Sequence, residues 1–168
     1  MHISILIVLA SAIVPMITGF IWYNPKVLGN AWMQAAEVTP EKMKGANMAV
    51  IFIMAFVFSF LLAFEMQFLV IHQYSVYSLF NHYITPSNPN YSVDVVNSVN
   101  DMMAKYGNEF RTFKHGALHG TIGGILISLP IIGTNALFER KGFKYIAINT
   151  GFWIINMALM GGIICAFP

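Results

Sequence analysis

The chain has 168 residues, 57% hydrophobic and only 10% charged, with a net charge of +2. An average soluble domain is nearer a quarter charged, and no basic tract is longer than Arg140-Lys141, which argues against nucleic acid as a partner. Cys165 is the single cysteine; it excludes an intrachain disulfide and a cysteine-based zinc site within one chain, and reads as a buried, inert thiol.

A helix that crosses a bilayer needs about 20 mostly apolar residues, because the hydrocarbon core is roughly 30 Å thick and each residue rises 1.5 Å. Four stretches qualify, at about 3–23, 48–71, 116–137 and 145–166, with one long polar loop at 72–115. The first contains Pro15 and Gly19 and closes on Trp22 and Tyr23, aromatic residues suited to the membrane interface. Only His2 precedes it in place of a positive n-region, so it reads as a retained first helix rather than a leader. Loop one follows, from Asn24 to Asn47. Trp32 in its segment 29–36 is a further interface anchor, and Thr39-Pro40-Glu41 predicts a short capped helix.

The second span is dense in phenylalanine and carries Glu65 and Gln67 in its last third. In loop two, Thr85–Asn90 is a turn cluster. Beyond it Val95, Val96, Val99, Met102, Met103 and Tyr106 recur at three- and four-residue spacing. This predicts an amphipathic helix, with a break at Gly107, lying on the membrane or capping the spans. The third span contains Pro130 and turns at Phe138–Gly142 into the fourth.

Four spans put both termini and loop two on one side, and loops one and three on the other. Lys26, Lys42 and Lys44 in loop one join Arg140, Lys141 and Lys144 in and beside loop three, against Lys105, Arg111 and Lys114 in the longer loop two. The positive-inside rule therefore places loops one and three in the cytoplasm, and the termini and loop 72–115 outside.

This topology gathers the polar residues. His2, His72, His82, His115 and His119 all belong to the loop-two face. Glu65 and His72 are seven residues apart, on one face of a continuing helix. His115 and His119 are i, i+4. Glu65, His72, His115 and His119 thus form a candidate site between spans two and three. Imidazole with carboxylate suits a transition metal, two facing histidines suit a haem iron, and Glu65 with His119 suits a proton relay. The competing reading is histidines in the wet interface with a shallow Glu65.

Gly116, Gly120 and Gly124 repeat the small-xxx-small spacing of close helix packing, and Gly161 and Gly162 offer a second such surface. These serve either an oligomer or the chain's own helices. Asn149 and Asn156, like Gln67, need amide partners in lipid. No Ser-His-Asp set, P-loop or dinucleotide fingerprint appears, so an enzyme is the less favoured class.

Trp22-Tyr23-Asn24-Pro25-Lys26-Val27-Leu28-Gly29-Asn30-Ala31-Trp32 resembles the WYSP-x-x-x-G-x-x-W junction of the DUF1761 family. The segments 135–139 and 149–153 resemble its passage from span three to span four. The resemblance covers spans one, three and four, and loop two is longer than the family leads one to expect. It implies a small four-helix protein of a bacterial cytoplasmic membrane and brings no activity with it.

The expectation is an all-α four-transmembrane-helix bundle, one membrane domain over 1–168. The leading functional reading is an accessory or assembly subunit, a homo-oligomer or part of a larger membrane complex, without cofactor. The alternative is a metal-, haem- or proton-binding transport protein using the glutamate and histidine cluster.

Overall fold

The computed structural model describes residues 4–167; His2 and the start of the first span lie outside them. The fold is all-helical. Four helices are long and apolar enough to cross a membrane: α1 (Ile5–Trp22), α4 (Met48–Val70), the run Phe113–Phe138, and α9 (Phe143–Ala166). This is the architecture of a multi-pass membrane protein. The short α2 (Gly29–Ala36) and α3 (Pro40–Met43) lie in loop one, and α5 (Gln73–Ile84) and α6 (Val93–Tyr106) in loop two.

α9 is the hub. Within its apolar window 56% of residues are buried, against 11% for α4, so α9 is surrounded while α4 presents most of its surface outward. The core is built from Val8 and Ala12 of α1, Ala63, Met66 and Val70 of α4, and Met157, Met160, Ile164 and Cys165 of α9. The outer faces of α1 and α4 expose Leu6, Ile17, Phe20, Ile53, Phe58 and Leu61, the surface that a bilayer would cover.

The third span is not a uniform helix. α7 (Phe113–Gly123) passes through a π-helical turn (Gly124–Ser128) into α8 (Leu129–Phe138). Pro130 explains the position of the turn. Proline lacks the N–H that would bond back to Leu126, and its ring crowds that carbonyl; widening the preceding turn relieves both.

Loop two holds two helices where the periodicity predicted one. α6 matches the predicted amphipathic segment and ends at Gly107, burying Val99. α5 is the addition; its Gln73 side chain donates to the Glu109 carbonyl at 2.9 Å, and the Ser92 N–H donates to the Tyr83 carbonyl at 2.9 Å. Met103 of α6, with Tyr74 and Tyr77 of α5, lines a cavity of ≈ 380 Å³ that also meets Ile7, Gln67 and Ile164. The helix pair therefore caps the ends of the spans, the second of the two placements open to α6. Arg111 closes this end: its Nε donates to the Cys165 carbonyl at 2.8 Å, a cation on the C-terminal turn of α9 where free carbonyls and the helix dipole favour it.

Candidate functional site

Three of the five histidines converge. One ligand nitrogen from each of His72, His115 and His119 lies within 4.8 Å of the others. The Nε2 atoms of His72 and His115 are 2.8 Å apart. Ring centroids are separated by 4.9 Å for His72 and His115, 4.8 Å for His72 and His119, and 4.5 Å for His115 and His119.

Local structure explains the convergence. Thr112 is the N-cap of α7, its hydroxyl accepting the His115 N–H at 3.2 Å. This fixes the first turn, so that His115 and His119 stand one above the other on one face. The segment before it reverses at Phe110, which adopts a left-handed φ of 63°. The Phe110 ring is thereby set 5.1 Å from His115 and 6.4 Å from His72. Its carbonyl receives the Cys165 thiol at 3.3 Å, and Cys165 is fully buried, as the sequence led one to expect. His72 sits between α4 and α5, exposed, while His115 and His119 are half-buried.

The donor set suits a borderline transition metal. Three neutral imidazoles leave a fourth position open in a tetrahedral shell. Metal–nitrogen bonds of about 2.0–2.1 Å at tetrahedral angles place ligand nitrogens about 3.3 Å apart. The observed spacings, from 2.8 Å to within 4.8 Å, bracket that value.

Glu65 is not in this cluster. α4 ends at Val70, and Ile71 is extended with φ −108° and ψ 97°, so His72 loses the helical phase that would have aligned it with Glu65. Glu65 is exposed and lines a separate groove with Leu62, Leu69, Ile131, Trp153 and Met157. His82 is also apart, paired with the Asn88 side chain at 3.0 Å.

The glycines pack within the chain. A Cβ on Gly116 would collide with the Gly161 carbonyl, and one on Gly120 with the Met157 carbonyl. Gly124 meets Ile154, and Gly162 lies against the Phe113 ring. α7 and α9 are thus in near backbone contact beside the histidines, the geometry that small-xxx-small spacing permits.

Asn149 and Asn156 of α9 cross-link the helices, whereas Gln67 bonds within α4. Asn156 is fully buried; it accepts the Thr18 hydroxyl at 2.6 Å and donates to the Phe152 carbonyl at 2.7 Å. Buried Gln67 donates to the Phe64 carbonyl at 3.1 Å. Asn149 accepts from both the Trp32 indole and the Tyr23 hydroxyl, each at 3.2 Å. The Trp22 indole donates to the Ile148 carbonyl at 3.1 Å. Trp22 and Tyr23 at the end of α1 and Trp32 in α2 therefore turn their polar tips into α9. Gly29 is required in the same junction, since a Cβ there would strike the Tyr23 and Asn24 carbonyls. Trp22, Tyr23, Gly29 and Trp32 each have a structural task at the end opposite the histidines, which makes the junction a clamp between loop one and α9.

Lys141 reinforces the clamp. Its ammonium meets the Glu37 carboxylate at 2.9 Å and donates to the Ala36 carbonyl at 3.2 Å, capping α2. The hydrogen bond from Lys141 to the Glu37 carboxylate and the lysine's charge hold that carboxyl below the usual carboxylate range.

No curated protein and no solved structure matches the chain. The family model described as a protein of unknown function, DUF1761, matches residues 6–165, taking in loop two and its histidines as well as the junction. The chain belongs to the DUF1761 family.

Proposed function

We propose that this membrane protein binds a single transition-metal ion through His72, His115 and His119, at the face capped by loop two. The observation that carries this reading is the convergence of three imidazole nitrogens within 4.8 Å, drawn from two elements far apart in sequence. Lone histidines at helix ends find water; three that turn toward one point hold their dipoles together at a cost that a shared cation would offset. Ring centroids 4.5–4.9 Å apart leave no room for a macrocycle between them, which favours an ion over haem. The open fourth position would take water or an exogenous ligand, and a half-exposed site suits uptake and release of the ion.

The charge distribution supports a placement of the site outside a bacterial cytoplasmic membrane, with the Glu37–Lys141 clamp in the cytoplasm. The accessory-subunit reading draws on the lack of catalytic motifs and on the glycine faces; the latter are occupied within the chain, and an apolar outer surface alone is equally well covered by lipid.

Metal content of protein purified in mild detergent tests the proposal. Near-stoichiometric zinc, copper, nickel, cobalt or iron is expected in the native chain, and loss of most of it in His119→Ala. Equal metal in the native chain and a His72→Ala/His115→Ala/His119→Ala variant would overturn it.

A further inference from the structure

Seven acidic residues occur in the chain, and Glu65 is the only one inside a spanning helix. It lies five positions before the end of α4, about 8 Å of helix rise. A carboxylate there is costly unless it finds a partner. Among the described residues none provides one: Glu65 makes no ion pair, and the one ion pair present joins Glu37 to Lys141. Gln67, two residues on, turns inward, whereas Glu65 faces out into a groove of ≈ 470 Å³. That volume is within the range of small-molecule sites.

The walls of the groove are chemically uneven. Leu62, Leu69 and Ile131 supply aliphatic surface, Trp153 an aromatic face, and Met157 a thioether. Ser128 is the only other polar side chain, and its hydroxyl is directed to the Met157 sulfur at 3.5 Å. One carboxylate beside an indole within apolar walls is a pairing that favours a cation with an apolar body. The carboxylate supplies the counter-charge, the indole face adds attraction through its quadrupole, and the remaining walls bury hydrocarbon. A neutral acyl chain would leave the carboxylate uncompensated, and an anion would be repelled. The groove lies between the outward face of α4 and the π-helical turn of the third span, so a ligand dissolved in the bilayer reaches it from the side.

We infer that the groove between α4, the third span and α9 is a binding site for a lipophilic organic cation, with Glu65 as its counter-ion and Trp153 as its aromatic wall. The inference is independent of the metal proposal, because none of the three histidines lines the groove.

Equilibrium dialysis of the detergent-solubilised full chain against tetraphenylphosphonium, with protein-free micelles as blank, tests it. Tetraphenylborate, the anion of the same shape, runs beside it. One saturable phosphonium site per chain is expected. Affinity should fall about tenfold or more in Glu65→Gln, the loss of one charge-assisted contact. Trp153→Leu should weaken it several-fold, while His119→Ala leaves it unchanged. Glu65 is exposed, so Glu65→Gln should elute and melt like the native chain. Absence of a saturable site, equal affinity in Glu65→Gln, or equal binding of tetraphenylborate would overturn the inference, the last two marking a merely greasy surface.

Discussion

At the scale of the residue, His119 and His115 owe their positions to Thr112, whose hydroxyl closes the first turn of α7. Thr112→Val removes that cap at a typical cost of about 1 kcal/mol and leaves all three imidazoles in the chain. Metal affinity should drop without loss of stoichiometry, read by competition with a chromophoric chelator; unchanged affinity would mean that the cap does not position the site. Asn149 is the other residue on which much depends, since it serves the Trp32 indole and the Tyr23 hydroxyl together. Asn149→Leu strands two donors and should cost about 1–3 kcal/mol, measured as a lowered unfolding midpoint in detergent.

At the scale of the element, the contact of α7 with α9 rests on absent side chains. Gly120→Ala drives a Cβ into the Met157 carbonyl, whereas Gly133→Ala meets nothing within 4 Å. The first should destabilise by about 1–3 kcal/mol through overpacking; the second should be neutral or stabilising by up to about 1 kcal/mol, since alanine is the better helix former. Thermal unfolding of the pair of variants checks both. The four spans were legible because length and apolarity suffice to announce them. α5 was not, because Gln73, Tyr74, Ser75 and Tyr77 mix polar and aromatic groups with no clean period. The alignment of Glu65 with His72 holds only for one continuous helix, and no glycine or proline near Ile71 signals that α4 stops at Val70. The histidine convergence was legible in part: topology put these residues on one face, but the turn at Phe110 that swings α7 toward His72 leaves no mark in the sequence.

At the scale of the molecule, the two ends divide the work. One end is a clamp in which loop one is fastened to loop three and α9 through Lys141, Trp22, Tyr23 and Trp32. The lowered Glu37 carboxyl makes one part of that clamp depend on pH. Its contribution is complete above the unfolded carboxyl value and is lost as the pH falls through the lower folded value. In Lys141→Met the Glu37 carboxyl should titrate in the usual carboxylate range, as read by carboxyl-carbon NMR. The other end is capped by α5 and α6 and carries the three histidines. Between them the Glu65 groove opens toward the surrounding lipid.

The proposed tri-histidine centre is tested most directly by X-ray absorption at the zinc edge of zinc-loaded protein. Three imidazole nitrogens at about 2.0–2.1 Å and one oxygen ligand are expected, with one imidazole fewer in His119→Ala. A shell of oxygen ligands alone, or a spectrum identical in the two proteins, would contradict a centre built on His72, His115 and His119.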